Sequence, residues 1–204
     1  MKAQTLWEQH YAVAEACLGH PFIRGIADGT LPQTKFAYYV GQDAYFLRAF
    51  ARGYALAMAR TPDENGLEVF KSLLDGVFAE LELHESYARK WGVSTHPEPA
   101  PATLAYTDFL LHVAALETPG HTIAAMTPCM RLYAWLGKRL KPKAVPDTPY
   151  RDWIDTYSSD DFNALAEQLE VLLDFYGGEA ARLAHLYGRA MELERNFFDA
   201  AWQG

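Results

Sequence analysis

Three residues able to carry chemistry stand where helical spacing asks for something apolar. The first is Asp43. Steps of three and four after Pro32 give Phe36, Tyr39, Asp43, Phe46, Phe50 and Tyr54, aromatic at every step but one. An ionised carboxylate inside a buried stripe is costly unless paired or hydrogen-bonded. Asp43 therefore either anchors a ligand or serves a neighbouring hydroxyl or helix end. The second is Glu194, in the series Leu183, Leu186, Ala190, Glu194, Phe197, Ala201. Burial there raises a carboxyl pKa toward neutrality, which suits a general acid or base. A stripe centred instead on Met191 and Phe198 leaves Glu194 exposed. Two such acids on separate aromatic-rich helices point to a shared pocket.

The third is Cys129, in AAMTPCMRLYAWLG. It shares a helical face with Tyr133, Leu136 and Leu140, so thiol and phenol point the same way one turn apart. Pro128 either starts a helix, with Thr127 as N-cap, or kinks one already running. In the first case Cys129 lies in the first turn, where the helix dipole favours a thiolate nucleophile. The bland alternative is a packed core cysteine, the usual fate of a free thiol. Glu80 and His84, four apart, could share a metal ion on one helical face. No second pair stands among the other histidines, so a surface or hydrogen-bonded pair is the better expectation, with no metal site.

Helices must position these groups, since no convincing alternating strand occurs. An amphipathic helix is expected at 2–17, then a short helix or turn in PFIRGIADGTLP. Thr30 and Gln33 resemble a capping box with Pro32 in the first turn of a long helix to about residue 60. A second long helix runs from Pro62 to Gly92. The loop GVSTHPEPAPA follows, then helices near 102–117, 120–140, 150–157, 161–176 and 179–202. One all-α domain of about eight helices spans 1–204.

Composition narrows the partners. A net charge of −8 without a basic stripe argues against nucleic acid. No window approaches 18 uninterrupted apolar residues, so no membrane span is expected. The start, MKAQTLWEQHYAVAEA, lacks the apolar core of a signal peptide. Two cysteines without metal-type spacing fit thiols of a reducing, cytoplasmic compartment.

The segment from His20 to Ala57 (HPFIRGIADGTLPQTKFAYYVGQDAYFLRAFARGYALA) resembles the opening of the TenA family, the thiaminase II proteins. TPCMRLYAWLGK, YRDWIDTYSSDDF and MELERNFFDAAW follow in order at fitting spacing. The resemblance implies a single-domain heme-oxygenase-like helical bundle, without heme, and commonly a homotetramer. It implies hydrolysis of thiamin-related aminopyrimidines without a cofactor. The product is 4-amino-5-hydroxymethyl-2-methylpyrimidine, released from its aminomethyl analogue or from thiamin, in salvage of the degraded vitamin.

Carried over block by block, the resemblance makes Cys129 the nucleophile and Glu194 the acid/base. Asp43 becomes the pyrimidine anchor, and Tyr106, Tyr133, Tyr157 and Phe197 become pocket residues. Many members have tyrosine where this chain has Phe46, which keeps a packing ring but loses a hydroxyl unless Tyr45 or another donor replaces it. Two rivals stand beside this activity: a metal-dependent oxidase on the same bundle, and a non-catalytic pyrimidine-binding regulatory protein.

Overall fold

The computed structural model describes residues 2–204, and every regular element among them is an α-helix. In chain order these are α1 (Ala3–Gln9), α2 (Tyr11–Leu18), α3 (Pro21–Asp28), α4 (Gln33–Arg60) and α5 (Glu64–Trp91). Then come α6 (Pro101–Leu116), α7 (Pro119–Leu140), α8 (Arg151–Tyr157), α9 (Asp160–Tyr176) and α10 (Ala180–Gln203). None is long and apolar enough to cross a membrane.

The all-α expectation holds, with local corrections. The first expected helix is two, broken at His10 (φ −111°, ψ 12°). The break sets the His10 ring against Tyr187 of α10, stacked at 5.9 Å, where Gly188 has no side chain to obstruct it. PFIRGIAD is a helix, with Pro21 in its first turn and the His20 ring nitrogen accepting from Phe22 N–H. Thr30 forms no capping box, because the end of α3 claims it. Gly29 turns into the left-handed region (φ 68°), and the Gly25 carbonyl accepts N–H groups from Gly29, Thr30 and Leu31. Pro32 is the N-cap of α4 and lies outside the first turn.

The short link between α4 and α5 folds these 28-residue helices back along each other, with Asp63 accepting from Gly66 N–H to cap the second. This hairpin brings Asp43 level with His84. Helices α4, α7 and α10 pack pairwise, and α6 closes against all three. Their facing stripes form an aromatic core: Phe36, Tyr39, Phe50, Tyr54, Tyr106 and Phe198 are each at most 1% exposed.

One glycine decides how closely α8 can approach. A Cβ at Gly137 of α7 would lie 2.6 Å from Ser158 N and against the Tyr157 carbonyl group, so only glycine lets the end of α8 sit there. Tyr157 takes its place from this backbone contact. Gly137→Ala is therefore expected to overpack the junction, lowering Tm by roughly 3–10 °C, an overpacking cost of about 1–3 kcal/mol. Thermal unfolding of the variant beside the parent checks it.

Candidate active site

Six helices each contribute polar or aromatic groups to one buried compartment. From α4 comes Asp43, 4% exposed, whose Oδ2 lies 2.7 Å from His84 Nε2 on α5. The other ring nitrogen of His84, Nδ1, is 2.8 Å from the Glu80 carbonyl oxygen. Both partners are acceptors, so an imidazolium donating to each satisfies the arrangement, with Asp43 as carboxylate. Burial opposes the charge on His84, but the hydrogen bond and charge of Asp43, helped by Glu80, outweigh it and hold the imidazole pKa above its usual value. The i, i+4 pair at Glu80 and His84 is thus hydrogen-bonded, and neither nitrogen of His84 is free for a metal. Among the described residues no group of three His, Cys, Asp or Glu side chains is arranged to hold an ion.

Glu194 of α10 is 2% exposed, with Met191 and Phe198 buried beside it, so the buried face is wide enough to include all three. Its Oε1 accepts from the Tyr106 hydroxyl of α6 at 2.6 Å. Burial pushes the Glu194 carboxyl up to about 8, against the Tyr106 hydrogen bond and a contact with the Cys129 thiol. Glu80 is partly exposed as a residue, but its carboxyl accepts from the buried Tyr157 hydroxyl of α8. Burial and the charge of Asp43 raise that carboxyl to about 7.

Cys129 settles the question of Pro128 and overturns one option. Helix α7 starts at Pro119 with Thr118 as N-cap, and Pro128 lies inside it. Thr127 caps nothing; its hydroxyl donates to Ile123 O at 2.7 Å. Cys129 is therefore mid-helix and out of reach of the N-terminal dipole, which falls off within the first turn. Its thiol is pushed well above the ordinary thiol range by burial, then by the carboxyls of Glu194, Glu80 and Asp43. The packed core cysteine is instead Cys17, at 0% exposure, whereas Cys129 keeps accessible surface although Thr127, Pro128 and Met130 around it are buried.

Aromatic rings wall the compartment. Phe46 packs on Tyr106 at 4.8 Å and on Phe197 at 5.9 Å. Tyr133 meets Tyr157 edge-on at 4.7 Å and receives the Tyr39 hydroxyl hydrogen bond at 3.3 Å. Asp43, Phe46, Tyr106, Cys129, Tyr133, Tyr157, Glu194 and Phe197 thus come together. Tyr45 does not join them; it lines a surface cleft of about 470 Å³ with Arg48, His96 and Asp108. Tyr54 is a better replacement for the hydroxyl absent at Phe46. It is fully buried, its hydroxyl has no protein partner, and it lies near enough to Cys129 and Glu80 to feel both groups. Sequence reasoning named Glu80 and His84 as a surface or hydrogen-bonded pair and Tyr54 as part of an apolar stripe, and gave none of them a place in the site. The signal for the first two was present, but as a metal pair it lacked further ligands.

Glu194 has a thermodynamic signature. A carboxyl that holds its proton more tightly folded than unfolded stabilises the fold fully below its unfolded pKa near 4.5. That contribution is lost as pH rises toward about 8. Glu194→Gln carries no such penalty. Its Tm should match the parent near pH 5 and exceed it by about 5 °C or more at pH 8, as read by thermal scans across that range.

Residues 2–204 match the model of the TENA/THI-4/PQQC family. An aminopyrimidine aminohydrolase of Halalkalibacterium halodurans is 36% identical over 213 residues, covering 98% of this chain and 92% of that protein. The crystal structure of a TenA family transcription regulator from a Silicibacter species superposes with a TM-score of 0.91 at 28% identity, covering 98% of this chain and 96% of that one. A domain of unknown function with a heme oxygenase-like fold from Shewanella denitrificans superposes at 0.77 with 16% identity, over 100% and 93% of the two chains. That last likeness concerns fold alone, and it bears out the expected heme-oxygenase-like bundle. With nearly its whole length matched, the chain belongs to the TENA/THI-4/PQQC family.

Proposed function

We propose that this pocket hydrolyses thiamin-related aminopyrimidines, releasing hydroxymethylpyrimidine from the aminomethyl analogue, from thiamin, or from both. The observation that carries this is the placement of the Glu194 carboxyl between the Tyr106 hydroxyl and the Cys129 thiol, inside an aromatic compartment anchored by Asp43. The similarity to an aminopyrimidine aminohydrolase supports it.

On this proposal Cys129 rests as a thiol, because burial and then the carboxyls of Glu194, Glu80 and Asp43 disfavour its thiolate. Asp43 accepts from the aminopyrimidine and favours its protonated, electron-poor form. As sulfur adds to the ring carbon next to the one bearing the methylene, the Glu194 carboxylate takes the thiol proton. The electron pair displaced into the ring then expels the methylene substituent. Glu194 returns the proton to a departing amine; the thiazole of thiamin leaves neutral without it, and Glu194 then releases that proton to solvent before water attacks. Water adds to the resulting exocyclic methylene with a proton passing to Glu194, and from there to sulfur as it is expelled and the ring regains aromaticity. Phe46, Phe197, Tyr106, Tyr133 and Tyr157 orient the ring, and Tyr54 offers its unpartnered hydroxyl.

We extend the proposal to a cytoplasmic homotetramer. Two free thiols support the compartment. Phe78, 57% exposed, lines a surface groove with Ala55, Leu74 and Leu81, and together with Leu56, 39% exposed, offers apolar surface to a second copy.

Release of hydroxymethylpyrimidine from both substrates tests the chemistry. Cys129→Ser should lose more than about 1,000-fold in kcat, and Glu194→Gln about 100-fold or more. Wild-type-like turnover by Cys129→Ser would remove the thiol from the reaction. Because Glu194 must begin as carboxylate, kcat/KM for thiamin, whose thiazolium charge does not titrate, should rise with pH through about 8. A profile falling over that range would contradict the assigned base.

A further inference from the structure

The helix α5 supplies two buried polar contacts that the proposed steps do not use. His84 occupies Asp43 Oδ2 at 2.7 Å and is itself fixed by the Glu80 carbonyl oxygen at 2.8 Å. One turn earlier the Glu80 carboxyl accepts from the Tyr157 hydroxyl. The same turn of helix therefore holds two groups of the pocket, on α4 and on α8, that the sequence places 114 residues apart.

We infer that Glu80 and His84 are positioning residues for the aminopyrimidine. His84 commits one oxygen of Asp43 and leaves the other to the ring, while Glu80 sets the orientation of Tyr157 and the charge facing Cys129. This rests on the proposed function and goes beyond it, because neither residue touches the reacting atoms.

The physical case has two parts. A buried carboxylate with both oxygens unfixed rotates freely about its last bond and presents no defined edge to a ligand. A single charge-assisted hydrogen bond from a helix-anchored imidazolium removes that freedom. His84 is 1% exposed and bonded at both nitrogens, so its own orientation is determined. The second part is charge. The carboxyl of Glu80 faces Asp43, Tyr39 and Tyr54 from α4, Cys129 from α7, Tyr157 from α8, and His84 and Tyr87 on its own helix. Of these only His84 is cationic. Ionisation of Glu80 thus adds a negative charge beside a thiol already held in its neutral form, and its burial places that ionisation near neutral pH, at about 7.

Four variants test this with steady-state kinetics on the aminomethyl pyrimidine and on thiamin from pH 6 to 9. His84→Leu removes the bond to Asp43 and should raise KM at least tenfold with a smaller fall in kcat. His84→Gln returns a donor to Asp43 and should recover most of that KM. Glu80→Gln keeps an acceptor for Tyr157 while abolishing the titration; it should preserve KM yet lose the inflection of kcat/KM near pH 7. Glu80→Ala should raise KM as well. Unchanged KM in His84→Leu, or a Glu80→Gln profile that superposes on the parent, would overturn the assignment, and the two glutamine variants keep it open to refutation should the larger changes unfold the chain. A parent protein inert toward both pyrimidines would fell the proposed function and this inference together, whereas an active parent with unaffected variants fells this inference alone.

Discussion

The site depends on one imidazolium. Three carboxyls, Asp43, Glu80 and Glu194, act on the Cys129 thiol in a compartment where, among the described residues, His84 is the one cation bonded to any of them. Burying an unpaired charge costs far more than a fold of marginal stability can bear, so most of these acids hold protons near neutrality. Asp43 is the one that His84 bonds, at 2.7 Å. Glu194 and Glu80, each bonded to a tyrosine hydroxyl, are displaced upward to about 8 and about 7. From one shared constraint, burial, the pocket obtains an anchored anion, two acids poised near neutral pH and a protonated thiol.

The helical framework explains why such an arrangement can be built. Each acid sits on a different helix, and Asp43 and Glu194 are flanked along theirs by buried aromatic residues, Tyr39 and Phe46 on α4, Phe197 and Phe198 on α10. The rings of Phe46, Tyr106 and Phe197 pack on one another as a continuous aromatic wall. Gly137 permits the close approach of α8 that brings Tyr157 to Glu80. On the proposed function, Cys129 needs no dipole to lower its pKa; the nearby Glu194 carboxylate removes the proton when sulfur adds.

Much of this was legible in the residues themselves. Asp43 and Glu194 betrayed their place because each interrupts an apolar stripe, although for Glu194 the rival phase through Met191 and Phe198 stayed open, and packing buries all three. Helix α7 was foreseen at 120–140, yet Pro128 inside it kept two registers open. Proline is allowed both in a first turn and, at a cost, in an interior, and only tertiary packing decides between them. Thr30 misled for a similar reason: a Ser/Thr-x-x-Gln pattern caps a helix only when the preceding chain leaves the threonine free, and here Gly29 and the Gly25 carbonyl had claimed it. Glu80 and His84 were noticed for their spacing and set aside for want of further ligands. Their partners, Tyr157 and Asp43, are 77 and 41 residues away, a distance that helical periodicity does not carry.

The most direct measurement of the central claim is the crystal structure of the Cys129→Ser variant with hydroxymethylpyrimidine bound. The predicted arrangement places the amino-bearing edge of the ring on the free oxygen of Asp43 and its face between Phe46, Phe197 and Tyr133. The hydroxymethyl group points toward Glu194, and the residue 129 side chain lies about 3–3.5 Å from the ring carbon beside the methylene-bearing one. A ring turned away from Asp43, or one seated in the surface cleft of Tyr45, Arg48 and His96, would contradict the account.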